Sequence, residues 1–215
     1  DDSSDNNFDP VADQTVSVST VDNDTAGFTI TETGGSTAVA ETGTTDTFTV
    51  VLTAQPSSNV VLSITSGDTG EAVVNGSTAS NNILTFTSGN WNTPQSFTVT
   101  GVDDNLVDGT ITSTLTVAVV DALSDDSFDA VADQTVSATT TDNDTAGFTV
   151  AQSGGSTSVS EAGTTDTFTV VLSAQPTSDV VITITSSDTG EATVNSPLTF
   201  TPANWNSAQT VTVTG

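Results

Sequence analysis

The chain has 215 residues and a formal net charge of −27, because it contains 27 acidic residues and no Lys, Arg or His. Every carboxylate must therefore be solvated, hydrogen-bonded or neutralised from outside the chain, since no side chain can form an ion pair with it. Binding to nucleic acid or to an anionic membrane needs cations that the chain lacks. Catalysis by His, Cys or Lys is excluded within these residues.

The acidic residues are mostly Asp, and they cluster between the predicted strands. Asp is the usual ligand in calcium sites carried by loops. The alternative is that the acidic residues reflect adaptation to high salt. That explanation predicts Glu as well as Asp, scattered over strand faces. We therefore favour bound calcium over a purely solubilising charge. Because the chain also lacks cysteine, packing and metal must stabilise it without disulfides.

The first predicted elements are strands in which apolar residues alternate with Thr or Ser. In residues 46–53 the side chains of Phe48, Val50 and Leu52 fall on one face, and the same period recurs in residues 111–119. This pattern is typical of half-buried antiparallel strands, and Gly, Pro, Asn and Asp separate the strands as they do in sandwiches. The sequence predicts an all-β fold of Ig-like antiparallel β-sandwiches, with no transmembrane helix or signal-peptide core.

The chain repeats itself at an offset of about 120 residues, the length of one β-sandwich domain. Residues 22–28 return as 142–148 with the same sequence, and residues 5–24 match 125–144. The offset shortens later in the repeat, and the missing residues fall near 75–82, in a predicted loop.

The repeat predicts three segments. Residues 1–24 are the last strand of a preceding or neighbouring sandwich, residues 25–144 are a complete sandwich, and residues 145–215 are a second sandwich without its final strands. Such a sandwich exposes an apolar face and an open sheet edge. Either the chain is a window cut from a longer tandem array, or the N-terminal strand of one copy completes the second sandwich of another, head to tail. We favour the window, because the counterpart of residues 102–120 appears nowhere else. Both explanations predict an elongated fibre.

A loop with three carboxylates, Asp103, Asp104 and Asp108, lies between two predicted strands. Unpaired charges about 4 Å apart repel by roughly 1 kcal/mol per pair in water, so a divalent ion among them is favourable. The spacing differs from that of an EF-hand loop, and the alternative is a solvated turn. The acids that flank an Asn in residues 22–24 and 142–144, where successive sandwiches join, favour calcium ligation. We expect calcium there to set the angle between sandwiches.

These motifs resemble those of Calx-β domains, which are calcium-binding sandwiches of extracellular repeat proteins and sodium–calcium exchangers. The matching segments are residues 160–163, 66–70, 103–104 and 142–147. The joint is also similar to the Asp-x-Asn-Asp linker of cadherins, which binds calcium between domains. The chain departs from the Calx-β pattern at Asn143, where the family has an acid, and at Asp108, where it usually has Glu. The family's Asp-Tyr-Thr-Pro segment is not recognisable.

The resemblance implies tandem Calx-β-like sandwiches with one pooled calcium site per joint. For the complete sandwich it implies the ligands Glu41, Asp68, Asp103, Asp104, Asp108, Asp142 and Asp144. For the second sandwich it implies the partial set Glu161 and Asp188. Asp22 and Asp24 would serve the preceding sandwich. The alternative for Glu41 is a solvated residue at a strand end.

Three other features of the sequence bear on function. Trp91 and Trp205 occur in Asn-Trp-Asn turns, where an aromatic side chain usually closes one end of a sandwich. A carbohydrate-binding face is the alternative, but one Trp per repeat without Tyr does not favour it.

Paired carboxylates can hydrolyse glycosides, but acids that recur once per domain are typical of a structural metal, so we expect no enzyme activity. Three Asn-x-Ser/Thr sequences and many hydroxyls leave surface glycans open as partners.

Together these patterns predict a secreted or cell-surface structural protein. It would form a filament or stalk of calcium-stiffened sandwiches that contact copies of themselves or a longer tandem array. The alternative is the spacer shaft of a large adhesin whose binding head lies outside these residues. A third class, a carbohydrate-binding module, would need an accessible aromatic face. Neither a nucleic-acid partner nor membrane insertion is expected.

Overall fold

The computed structural model describes residues 5, 7–8, 10–75 and 82–215. In this part of the chain the regular structure consists of fifteen strands and four short 3-10 turns, with no α-helix. A helix long and apolar enough to cross a bilayer is likewise not found among these residues. The predicted all-β fold is confirmed.

Nine strands between residues 28 and 141 form two sheets that face each other. The first sheet has the strand order β1 (Phe28–Glu32), β3 (Thr45–Leu52), β7 (Gln95–Gly101), β5 (Ala72–Asn75). The second sheet has the order β2 (Thr37–Ala40), β9 (Gln134–Thr141), β8 (Ile111–Val119), β4 (Val60–Ser66), β6 (Ile83–Phe86). All neighbours are antiparallel except β2 and β9, which run parallel. The C-terminal ends of these two strands therefore lie at the same end of the sheet.

The period of two places the apolar side chains between the sheets. Phe48, Val50 and Leu52 on β3 are buried, and the Phe48 ring packs against that of Phe97 on β7 with centroids 5.6 Å apart. Each fully buried side chain of this size stabilises the fold by about 1.5–3 kcal/mol. Trp91 is partly buried and packs against this core.

The second repeat forms one complete sheet and a two-stranded remnant of the other. The sheet has the order β10 (Phe148–Gln152), β11 (Thr165–Leu172), β15 (Gln209–Thr214), β13 (Thr193–Val194), and β12 (Val180–Ile182) pairs with β14 (Leu198–Phe200). Trp205 packs against this smaller core. The side chains of Phe148, Val150 and Val181 are exposed, because no strand of this repeat occupies the positions of β8 and β9.

The described part of residues 1–24 contains no strand. Val16, Val18 and Val21 are more than four-fifths exposed, at 86%, 83% and 91%. The pairing of this segment with another sandwich thus stays a prediction. The length difference between the repeats falls mostly on residues 76–81, which lie outside the described residues.

Candidate metal centre

The parallel pair β2 and β9 brings two acidic segments together at one end of the first sandwich. Glu41 follows β2 directly, and its backbone N–H donates to the carbonyl of Thr141 at 3.1 Å. The backbone N–H of Asn143 in turn donates to Glu41 Oε2 at 3.0 Å. Glu41 is only 1% exposed, so it is not the solvated strand-end residue of the alternative interpretation.

Gly101, the last residue of β7, lets Glu71 and the acidic loop after β7 lie beside Glu41. A Cβ atom here would lie 2.1 Å from the carbonyl oxygen of Ala40, so only glycine lets β7 pass this close to the end of β2. Gly101 pairs with Ala72 on β5, and the backbone N–H of Val102 donates to the carbonyl of Glu71 at 2.9 Å. Glu71 and the loop that follows β7 are thereby held beside Glu41.

Asp142 ties that loop to the joint between the repeats. Its Oδ2 accepts hydrogen bonds from the backbone N–H groups of Gly109 at 2.8 Å and Asp108 at 3.1 Å, and its Oδ1 accepts one from Asp144 at 2.6 Å. Gly109 has φ of 78°, a conformation that favours glycine. These hydrogen bonds, that of Gly109 first, lower the pKa of Asp142.

Two groups of carboxylates result, and they share one residue. Glu41, Asp142 and Asp144 each offer an oxygen, and these oxygens lie within 4.8 Å of one another. Glu41, Glu71 and Asp108 do the same. Calcium binds oxygen at about 2.3–2.6 Å, so oxygens at these separations can ligate a common ion.

Two of these carboxylates have buried oxygens without a hydrogen-bond partner, Glu71 Oε2 and Asp144 Oδ2. Glu71 is only 6% exposed. Burial of an unpaired carboxylate is costly, and the chain has no Lys, Arg or His to offset it. The site fits a hard divalent cation, since every side-chain ligand is an oxygen and none is a thiolate or imidazole.

The crowding of negative charge is visible in the pKa values. Burial is the largest cause that raises the pKa of Glu41, Glu71 and Asp144. Neighbouring carboxylates raise each of them further, with Asp108 acting on all three. The N–H of Asn143 opposes the rise at Glu41. A bound cation would act in the opposite direction and favour the charged forms.

Three of the implied ligands of the first sandwich lie outside these groups. Asp103 is exposed, and its Oδ1 accepts a hydrogen bond from the side-chain amide of Asn143 at 2.8 Å. Asp104 accepts one from the backbone N–H of Leu106 at 2.7 Å. Asp68 is exposed in a separate turn, where it accepts from Gly70 at 3.0 Å. None of the three belongs to a group of three close ligand oxygens among the described residues.

The acids implied for the other joints are not brought together. Glu161, Asp188, Asp22 and Asp24 are all exposed. Within the described ranges, none of them shares a group of three close ligand oxygens. Asp22 and Asp24 nevertheless keep the local turn of the first joint, because the N–H of Asp24 donates to Asp22 Oδ1 at 2.9 Å.

Sequence patterns did not identify Glu71 or Asp125. Glu71 belongs to a segment, residues 68–72, that returns unchanged as residues 188–192. The carboxylate of Asp125 lies away from the metal groups and accepts five hydrogen bonds of 3.0 Å or less, from Ser57, Ser58 and Ser127. These hydrogen bonds, that of the Ser127 hydroxyl first, hold the pKa of Asp125 well below its usual range. The repetition of Asp5 and Phe8 as Asp125 and Phe128 was the available signal.

No protein-family model and no curated protein matches the sequence. Among solved structures the chain is similar to CBD12 of CALX1.2, with 15% identity over 88% of this chain and 75% of that chain and a TM-score of 0.38. It is similar to the calcium binding domain CBD12 of CALX1.1 at 14% identity, over 88% and 74% of the two chains, with a TM-score of 0.38.

Domains 5–6 of the S-layer protein SbsC match at 14% identity, over 89% of this chain and 84% of that chain, with a TM-score of 0.35. What the chain and these structures have in common is a broad β-sandwich fold.

Proposed function

We propose that this chain is an extracellular structural module in which calcium binds at the end of a β-sandwich and stiffens an end-to-end array. The observation that carries the proposal is the pair of carboxylate groups that share Glu41, with buried, unpartnered oxygens on Glu71 and Asp144. In a chain without a cationic side chain, a divalent ion is the neutralising partner that this geometry accommodates best.

The site connects three segments that are far apart in the sequence. Glu41 follows β2, Asp108 belongs to the loop between β7 and β8, and Asp142 and Asp144 lie in the joint that leads to β10. Calcium would supply the positive charge that these carboxylates lack. Without it, their repulsion favours separation of the three segments.

The loop that contributes Asp108 also contacts the second repeat. The carbonyl of Asn105 accepts a hydrogen bond from the backbone N–H of Gln175 at 2.7 Å, and Leu106 forms a β-bridge with Gln175. An ion that fixes the loop and the joint together would also restrict the orientation of the next sandwich. This link supports a role in a stiff filament or stalk, and low-affinity calcium sites are usual in extracellular modules.

The test is thermal unfolding of the full chain with calcium, with magnesium and with a chelator. Calcium at about 100 times its dissociation constant should stabilise the protein by about 2.7 kcal/mol. The double variant Glu41→Gln and Glu71→Gln should lose this response, whereas the control Asp188→Asn should keep it, because Asp188 is exposed and outside both groups. An unfolding temperature that calcium does not change would contradict the proposal and favour a solubilising acidic surface.

A further inference from the structure

The loop between β7 and β8 contains the only Asp-Gly pair of the sequence, Asp108 and Gly109. Both residues are exposed, and a Cβ atom added to Gly109 would meet no other atom within 4 Å. Because glycine has no side chain to shield its amide nitrogen, that nitrogen can reach the side-chain carboxyl carbon of the preceding aspartate. An exposed Asp-Gly pair is therefore the sequence at which an aspartate cyclises onto its own backbone most readily.

Asp142 holds the nitrogen of this pair away from that reaction. Its Oδ2 accepts hydrogen bonds from the backbone N–H groups of Gly109 at 2.8 Å and Asp108 at 3.1 Å. The Gly109 nitrogen thus directs its proton at a carboxylate of another segment, and hydrogen bonds to a charged acceptor are among the stronger ones in proteins. This nitrogen becomes free to react only when the loop separates from the joint between the repeats.

The carboxyl group of the pair is restrained by the same closed geometry. Asp108 belongs to the group with Glu41 and Glu71, whose ligand oxygens lie within 4.8 Å of one another. Repulsion among these carboxylates pushes the loop outwards, against the hydrogen bonds that Asp142 accepts. An ion bound to the group would hold the loop in place and occupy the oxygen of Asp108.

We propose that Asp108 and Gly109 are a site of isoaspartate formation that Asp142 holds closed. When the loop opens, the Gly109 nitrogen attacks Cγ of Asp108, and the new C–N bond closes a cyclic imide. One carboxyl oxygen leaves as water, with the proton of the amide and a proton from solvent.

Hydrolysis of the imide completes the reaction without any other reactant. Water adds at the backbone carbonyl carbon of Asp108, and the bond from this carbon to the Gly109 nitrogen breaks. The nitrogen regains its proton from this water, and the new carboxyl group returns a proton to solvent. The chain then continues through the side-chain carbon of residue 108.

The product alters the candidate metal centre. The backbone gains a carbon atom at Asp108, and the free carboxylate sits directly on Cα, so its oxygens withdraw from Glu41 and Glu71. The altered loop also contacts the second repeat, where the backbone N–H of Gln175 donates to the carbonyl of Asn105 at 2.7 Å. Isomerisation should therefore weaken calcium binding and the link between the sandwiches together. The restraint by Asp142 needs no ion, whereas its reinforcement by calcium rests on the proposed function.

The test is ageing of the full chain in calcium-free buffer, at a temperature below its unfolding transition. Isoaspartate at residue 108 is measured by electron-transfer fragmentation of chymotryptic peptides. The Asp142→Ala variant should form it at least tenfold faster than the wild type, because the variant lacks the acceptor of the Gly109 N–H. Asp142→Asn keeps a neutral acceptor and should lie between the two. Equal rates for the wild type and Asp142→Ala, or no isoaspartate at residue 108 in either, would overturn the proposal.

Two controls separate this restraint from a general loosening of the fold. Asp22→Ala removes the same turn at the first joint, where Asp22 Oδ1 accepts from Asp24 N at 2.9 Å, and should leave the rate at residue 108 unchanged. Asn75 belongs to the only Asn-Gly pair of the sequence and to neither carboxylate group, so its deamidation provides an internal clock. If both reactions accelerate equally in Asp142→Ala, the variant merely loosens the fold and the proposal fails.

Calcium distinguishes this inference from the proposed function. In calcium the wild type should form isoaspartate at least tenfold more slowly than in chelator, and aged protein that carries it should bind calcium more weakly in titration calorimetry. If Asp142→Ala accelerates the reaction but calcium has no effect on the wild type, the restraint by Asp142 stands and the proposed calcium site is what fails.

Discussion

The two sandwiches have nearly the same sequence up to the ends of β7 and β15, yet their acids and cores differ. Glu41 and Glu71 are buried in the first sandwich, whereas their counterparts Glu161 and Glu191 are exposed. Phe28 is 3% exposed and Phe148 is 56% exposed. The difference follows from the segments after β7, which supply β8, β9 and the joint in the first sandwich. The metal centre and the closed core are therefore produced by the same late segments.

The largest effect on stability should distinguish Phe128 from its counterpart in the repeat, Phe8. Phe128→Ala should destabilise the first sandwich by about 3–5 kcal/mol, because it empties a core position. Phe8→Ala in dilute solution should change the free energy of unfolding by about 0.5 kcal/mol or less, since Phe8 is exposed. Urea unfolding at low protein concentration measures both. Equal losses would mean that Phe8 is also packed within its own chain, and the comparison would fail.

The next effect is on the pH dependence of stability without calcium. Glu41, Glu71 and Asp144 have raised pKa values in the folded state, so the folded chain binds protons more readily than the unfolded chain. Stability should then rise as the pH falls from neutral, through these raised values towards the unfolded values of about 4. Thermal unfolding across this range in chelator should show the rise.

Two comparisons check the origin of that pH dependence. Saturating calcium should abolish the rise, because the bound ion favours the charged carboxylates. Replacing Glu41 and Glu71 by Gln should reduce it. A stability that falls over the same range in chelator would show that these carboxylates are not the groups that respond.

The smallest effect is expected at the second sandwich. The double variant Glu161→Gln and Glu191→Gln should leave calcium binding and stability of the monomeric chain within about 0.5 kcal/mol of the wild type, because both side chains are exposed. Calorimetric titration and urea unfolding measure these quantities. A loss as large as that from the corresponding pair in the first sandwich would show that the two ends are equivalent and would remove the contrast between them.

The sequence predicted the features that depend on local pattern. The alternation of Phe48, Val50 and Leu52 with threonines predicted both the strand and its buried face, and the structure confirms the all-β fold. The sequence also identified Glu41, Asp108, Asp142 and Asp144 as ligand candidates, through the resemblance of its motifs to those of a known family. The structure places these four in the carboxylate groups described above.

Other features depend on contacts between distant segments and could not be predicted from local pattern. Glu71 is buried because Gly101 lets β7 pass close to β2, and these residues are far apart in the sequence. Asn143 looks like the loss of a ligand in the sequence, but its amide bridges to Asp103 and its N–H binds Glu41. Phe8 and Phe128 lie in similar local sequences, DNNFDP and DDSFDA, but Phe8 is exposed and Phe128 is buried.

The most direct test of the account is isothermal titration of calcium into the full chain, repeated with the Glu41→Gln variant. Glu41 belongs to both carboxylate groups, so its replacement should weaken every binding event at the first joint. We expect saturable binding of at least one calcium ion per chain and a loss of affinity of at least tenfold in the variant. Titrations without saturable heat, or curves that coincide for the two proteins, would contradict it.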